Sequence, residues 1–150
     1  MRIARDGTWY YRGTPINRKK LVALFSTVLK RDAKGAYWLE TPVEKGRIEV
    51  EDAPFVAVEM RSAGQGRDRE VDLRTNVDAW VPVGPDHPIR VEEAENREPS
   101  PYILVRDGLE ALIQRPVFYH LVELAEPNPD NETELGVWSR GRFFPLGKVS

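Results

Sequence analysis

Few side chains in this chain are suited to covalent chemistry. There is no cysteine, and there are two histidines, His87 and His120. A thiol nucleophile, a thiolate metal site and a disulfide are excluded together. A zinc site would need both imidazoles in one place with carboxylates beside them. His87 falls in a proline-flanked turn and His120 in a helical stretch, so no metal ligand set is expected. Ser139 lies in Gly-Val-Trp-Ser-Arg-Gly, but a nucleophile elbow needs glycine two before the serine, and Val137 stands there. It reads as a hydroxyl on a strand edge. Gly64-Gln65-Gly66-Arg67 lacks the third glycine and following helix of a dinucleotide fingerprint and reads as a hairpin turn. Glu51 and Asp52 would point to opposite faces of a strand, a poor geometry for shared acid–base work, and read as a solvated strand end.

The chemistry that remains is anion recognition. Residues 1–48 carry 11 Lys/Arg against four Asp/Glu, a balance of +7, and the rest of the chain carries −9. Arg18-Lys19-Lys20 falls in the first turn of a helix, where cations oppose the macrodipole unless an anion meets the free N–H groups. Thr41-Pro42-Val43-Glu44-Lys45-Gly46-Arg47 is a charged, glycine-bearing connection between strands. The expected ligand contacts are Arg18, Lys20, Lys45 and Arg47, with Glu44 accepting from a hydroxyl or base. Trp138 and Arg140 add a stacking face and a further charge. Guanidinium and ammonium groups make charge-assisted bonds to phosphate or carboxylate.

These residues need elements to hold them. Arg2–Arg5 and Thr8–Arg12 read as strands around Asp6-Gly7, after which Gly13-Thr14-Pro15 breaks the strand. Asn17 is the expected N-cap, and Leu21, Leu24, Phe25, Val28 and Leu29 fall on one helical stripe that stops at Gly35. The period then changes to two. Strands are expected at Tyr37–Thr41, Arg47–Glu51, Phe55–Arg61, Arg69–Thr75, Ala79–Val83 and Ile89–Val91, a meander in the middle of the chain. The acidic, proline-flanked stretch 92–101 reads as a linker. Tyr102–Arg106 and Leu109–Ile113 make a hairpin around Asp107-Gly108. A helix from Pro116 to near Glu126, a polar loop over 127–134 and a closing hairpin at Gly136–Arg140 and Phe143–Lys148 follow.

The chain also repeats itself. Arg5-Asp6-Gly7 returns as Arg106-Asp107-Gly108 and Pro15-Ile16 as Pro116-Val117, both at an offset of 101 residues, and Trp38 is echoed by Trp138. We read an internal duplication. The expectation is an α+β fold of two related halves, each a β-hairpin, a helix and antiparallel strands, divided at 1–98 and 99–150.

Composition bounds the class. The hydrophobic share of 41% and charged share of 31% suit a soluble globular protein. No apolar run approaches the roughly 18 residues that a membrane span requires. The first residues lack an apolar signal region, which makes the cytoplasm the default compartment. A sequence pI of about 5.8 argues against broad nucleic-acid binding.

The strings D-G-x-W-x-x-x-G-x-P-I, L-V-x-L-F, Y-W-L-x-T-P-V-E-K-G-R-I-x-V-E-D-A-P-F, R-D-G-L-E-A-L-I-x-R-P-V and G-V-W-S-x-G resemble the bacterial domain-of-unknown-function family 1285. The resemblance covers nearly the whole chain. It implies a fold of repeated motifs with a C-terminal half loosely similar to pleckstrin-homology-like modules. It also implies a ligand site between the halves for a nucleotide-like molecule and a signalling role, and it brings no enzymatic activity or cofactor. The functional expectation is a module for an anionic or nucleotide-like small molecule. The alternative is a protein-interaction adaptor using Tyr10, Trp80 and Phe144.

Overall fold

The computed structural model describes residues 1–95 and 98–148. Its first sheet holds β1 (Arg2–Ile3), β2 (Trp9–Tyr11) and β3 (Thr14–Pro15), then, beyond α1 (Lys19–Ser26), β4 (Leu29–Arg31), β5 (Tyr37–Glu40) and β6 (Lys45–Val50). The strand order is β3-β2-β1-β6-β5-β4. Every pairing is antiparallel except the central one, where β1 runs parallel to β6 with Arg2 opposite Glu49.

A second sheet repeats this plan. It is built from β7 (Phe55–Ala63), β8 (Glu70–Thr75), β9 (Trp80–Pro82), β10 (Ile89–Glu92), β11 (Ser100–Arg106) and β12 (Leu109–Ile113). The order is β10-β11-β12-β7-β8-β9, and the central pair β12·β7 is again parallel. Both sheets are therefore two three-stranded antiparallel units joined through their first and last strands. Helix α2 (Arg115–Glu123) leads into a small third sheet of β13 (Glu126–Asn128), β14 (Asn131–Ser139) and β15 (Arg142–Lys148). The result is a sheet-rich α+β fold with two related halves. One contiguous core runs through it, from Ile3, Trp9 and Leu29 through Phe55, Leu73 and Ile103 to Leu121 and Leu146.

The register of the relation differs from the one the tripeptide suggested. Asp107 and Gly108 both have positive φ (42° and 77°), and Arg106 pairs with Leu109 across them, a two-residue hairpin turn. Around Asp6-Gly7 only the glycine is left-handed, and Gly7 N–H donates to Ala4 C=O, so this is a longer turn. The closer match to Asp107-Gly108 is Arg12-Gly13 (50° and 79°), which joins β2 to β3 ahead of α1. Gly13-Thr14-Pro15 thus turns the chain into a further edge strand, where proline's missing N–H costs nothing.

The first helix is shorter than its apolar stripe. It begins after Arg18, with no side-chain cap, and ends at Ser26. Ser26 Oγ donates to Ala23 C=O and Thr27 Oγ to Leu24 C=O, and the backbone tightens to i→i+3 bonds there. Leu29 is consequently a strand residue opposite Leu39. Within the helix, Val22 and Ser26 are buried while Leu24 is 62% exposed. Gly35 closes the β4–β5 hairpin, with Asp32 accepting the Lys34 and Ala36 N–H groups. The expected polar loop at 127–134 is mostly strand (β13 and the start of β14). Of the expected linker, Ser100 and Pro101 open β11, and residues 96–97 lie outside the described residues.

Candidate functional site

The groove sits at one end of the first sheet, where α1 lies over it. Phe25 stacks on Trp9 of β2, with ring centroids 6.2 Å apart. Beyond that contact the sheet opens into a depression of about 490 Å³. Its floor is apolar, formed by Tyr11, Phe25, Val28 and Leu39, and its lip is Thr41, Glu44, Lys45 and Arg47. The lip is built locally: Thr41 Oγ accepts the Glu44 N–H at 3.0 Å, and Thr41 N–H donates to Glu44 C=O at 2.8 Å. Period two then sends Lys45, Arg47 and Glu49 to one face of β6 while Ile48 enters the core.

The electrostatics of the lip are positive. Among the described residues neither Lys45 nor Arg47 has a carboxylate within ion-pair distance, and Glu44 pairs with no cation. Lys45 Nζ lies 4.6 Å from the Trp38 ring centroid. That ring is held by an indole N–H to Asp32 Oδ2 bond of 3.0 Å, which leads the causes that keep the Asp32 carboxyl below its ordinary pKa. An exposed cation–π contact is worth roughly 0.5–1 kcal/mol, weak enough to be exchanged for an anion.

A second depression, of about 470 Å³, adjoins the first and shares Met1 and Arg47 with it. Arg2, Tyr10, Arg12, Gly13 and Glu49 complete it. The Arg2 guanidinium covers the Tyr10 ring at 4.3 Å. Sequence patterning missed this neighbour because it depends on β1 pairing with β6 across almost fifty residues.

Family models account for nearly all of the chain. The N-terminal domain of DUF1285, a domain of unknown function, matches residues 1–53, and the C-terminal domain of the same family of unknown function matches residues 54–146. The chain belongs to the DUF1285 family. The crystal structure of a DUF1285 family protein from Silicibacter pomeroyi DSS-3 superposes with a TM-score of 0.92 at 51% identity, covering 99% of this chain and 80% of that one. A DUF1285 protein from Shewanella baltica OS155 gives 0.64 at 28% identity, with coverages of 81% and 89%. No curated protein matches. The boundary between the two DUF1285 domains falls at Ala53-Pro54, in the short connection between the two sheets.

The other predicted contacts are placed elsewhere. Arg18 and Lys20 are exposed but line neither depression, and Lys19 between them pairs with Asp78 at 3.0 Å. Trp138 meets Phe143 edge-on at 5.4 Å and carries the Arg67 guanidinium 4.8 Å from its ring centroid. Arg140 is committed to holding the third sheet: its Nη1 donates to Val71 C=O (2.8 Å) and Val83 C=O (3.1 Å), and its Nη2 to Asp72 Oδ1 (2.6 Å). Burial pushes the Asp72 carboxyl up, but the bonds from Arg61 and Arg140 outweigh it and hold the pKa below its ordinary value. Ser139 is fully buried beside it, not at an exposed edge. Phe144, 4% exposed, is core and unavailable as an adaptor contact. Glu51 and Asp52 are engaged as well. Glu51 accepts the Arg5 N–H, and Asp52 accepts the Tyr102 O–H at 2.7 Å.

Between the two DUF1285 domains, residues 1–53 and 54–146, lies a cavity of about 400 Å³, lined by Ala23, Ser26 and Thr27 of the first and by Phe55, Thr75, Val77, Ala79, Val105 and Arg106 of the second. Arg106 is half-buried with no carboxylate partner among the described residues, and its Nη2 donates to Ser26 C=O at 2.7 Å. That carbonyl belongs to the last turn of α1, the negative end of the helix, so Arg106 is matched by the dipole. An anion entering this seam would face carbonyl oxygens. In the groove the opposition is one carboxylate, Glu44, against the two cations Lys45 and Arg47.

Proposed function

We propose that this protein is a binding module for an anionic small molecule, held at the groove of the first half by Lys45 and Arg47. One observation carries the reading: two cations of β6, without carboxylate partners among the described residues, stand at the rim of a depression whose apolar floor lies on the inner face of the sheet. Ligand pockets are commonly apolar clefts with a few convergent polar groups. The positive balance of residues 1–48 adds a field that draws anions toward them. Thr41 and Glu44 supply a hydroxyl and a carboxylate for the ligand's own polar groups. A signalling role fits the position of α1, whose Phe25 faces the groove while its Ser26 carbonyl accepts from Arg106 of the second half. A ligand that shifts Phe25 would move a contact across the seam.

Calorimetric titration of the full chain with inorganic phosphate, nucleoside phosphates and short carboxylates tests the proposal. Lost charge-assisted bonds are worth about 1.5–3 kcal/mol each. Replacing Lys45 and Arg47 together by alanine should therefore weaken binding by at least tenfold, with less than about 1 kcal/mol lost from stability because both side chains are exposed. Unchanged affinity in the double variant would remove the site.

A further inference from the structure

The outer face of the first sheet carries a chemistry that the groove does not use, and we infer that it binds single-stranded nucleic acid. Alternation along the strands sends Ile3, Trp9, Leu29 and Ile48 into the core. The opposite face therefore presents Lys30 on β4, Trp38 on β5, Lys45 and Arg47 on β6, Arg2 on β1 and Tyr10 on β2. Trp38 lies between Lys30 and Arg47 in register. Arg2 lies between Tyr10 and Glu49, the latter two residues beyond Arg47. Lys45 Nζ stands over the Trp38 ring at 4.6 Å, and the Arg2 guanidinium over the Tyr10 ring at 4.3 Å. Both rings are half-buried, and the cations are exposed.

The related second sheet supplies the contrast. By strand order β10, β11 and β12 repeat β4, β5 and β6, and the row Lys30–Trp38–Arg47 corresponds to Arg90–Tyr102–Leu112. There Arg90 is bonded to Glu110 and Glu92, the Tyr102 hydroxyl is bonded to Asp52, and a leucine replaces the second cation. Lys30, Lys45 and Arg47 have no carboxylate within ion-pair distance among the described residues, and Arg2 meets Glu51 only at 3.5 Å. The opposing charges on the face are Glu40 and Glu49. Asp32 and Glu51 stand at its margins with Lys34 and Arg5. The basic surplus is local to one face of a chain whose overall pI is about 5.8. A single strand matches this face with phosphates for the cations and bases that stack on aromatic rings or guanidinium planes. Trp38 and Tyr10 are three strand spacings apart, about 14–15 Å, with Arg47 and Arg2 between them. A mononucleotide covers one ring, and an acidic peptide uses the cations and neither ring. Exposed cation–π contacts are weak enough for Lys45 and Arg2 to swing from ring to phosphate as a base arrives.

Fluorescence anisotropy on the full chain tests this with a labelled single strand of about ten nucleotides, the same sequence as a duplex, and polyglutamate. The single strand should bind at least tenfold tighter than either. Its affinity should fall with salt at a log–log slope of about −3, from four cations at about 0.7 each. Trp38→Val and Tyr10→Leu should each weaken it about fivefold or more. Trp38→Tyr, which keeps a stacking ring, should restore most of the affinity. Trp80→Val should change nothing, because that ring lies under Arg61 on the second sheet, where Arg61 and Arg74 are paired with Asp72 and Glu59. Polyglutamate or duplex bound as tightly as the single strand would overturn the inference, the former pointing to an acidic protein partner. Undiminished affinity in Trp38→Val would overturn it too. A chain that binds phosphate or carboxylates but no single strand would sink this inference and leave the groove intact. Absence of all binding would sink both.

Discussion

Ser139→Ala isolates a single hydroxyl that completes the fold. Ser139 Oγ accepts the Val71 N–H at 2.9 Å and donates to Val83 C=O at 2.6 Å. Val83 N–H in turn donates to Val71 C=O at 2.9 Å. The hydroxyl therefore stands where the other ladder bond of a Val71–Val83 pair would run, and it ties β14 to the second sheet. Removing it does not orphan both partners, because Val83 C=O keeps Arg140 Nη1 at 3.1 Å. Only the Val71 N–H is left, in a residue with no exposed surface. An unpaired buried donor costs about 1–3 kcal/mol, so that is the expected loss. Urea denaturation should show a lower midpoint at unchanged slope, and Tm should fall by roughly 2–4 °C per kcal/mol for a chain of this size. The double variant Ser139→Ala/Arg140→Met should lose more than the sum of the single losses, since the Val83 carbonyl then loses both donors. A single variant within about 0.5 kcal/mol of the parent would refute the account, because β9 would have closed onto β8 and made the bond directly.

Three further outcomes follow from the same structure. Leu24→Ala should change stability by less than about 0.5 kcal/mol because the side chain is 62% exposed, whereas Phe25→Ala, which removes the stack on Trp9, should cost about 2–3 kcal/mol; equal effects in thermal denaturation would show that the helix phase is wrong. Tyr102 should titrate late. Burial and its bond to Asp52 raise its pKa to about 12 from the ordinary 10, so absorbance at alkaline pH should resolve a phenol that ionises near pH 12. The folded pKa lies above the unfolded one, so the associated stability is complete below pH 10 and is lost as pH rises through about 12. Tyr102→Phe should abolish that late step, and a phenol titrating near 10 in its place would contradict the burial.

Much of the fold was legible because strands announce themselves by period two. The bounds of β5 to β8, β11 and β12 fall within two residues of the expected ones. The helix misled for a physical reason: the apolar stripe from Leu21 to Leu29 is shared by a helix and the strand after it, and no periodicity marks the change. The break lies in Ser26 and Thr27, whose hydroxyls can serve a helix end as readily as a surface. Gly35 could not discriminate either, since a left-handed glycine closes a hairpin as well as a helix. For the groove, Glu44, Lys45 and Arg47 were visible as a charged loop and strand. Their partners Tyr11, Phe25 and Leu39 were visible only as core candidates, because a concave surface depends on pairings that no local window contains. Arg140 shows the converse. Its charge suggested a ligand contact, but its position on the turn with Gly141 spends that charge on two carbonyls and Asp72.

The parallel pairing of first and last strands in each sheet has a kinetic meaning. Hairpins such as β4–β5 and β11–β12 close over a few residues and need nothing else to form. The β1·β6 seam must bring Arg2 to Glu49, and the β7·β12 seam must bring Phe55 to Ala111. Among the strand pairings those closures carry the largest loop entropies, and they give the chain a slow, non-local topology. Each seam is also the centre of its sheet, so the element formed last occupies the middle. Trimming or tagging the first residues of a domain is ordinarily harmless because ends fray at the surface. Here Ile3 is fully buried between Trp9 and Val50, and the loss of three residues would split a six-stranded sheet into two three-stranded remnants. The groove would go with it, since both of its depressions straddle that central seam.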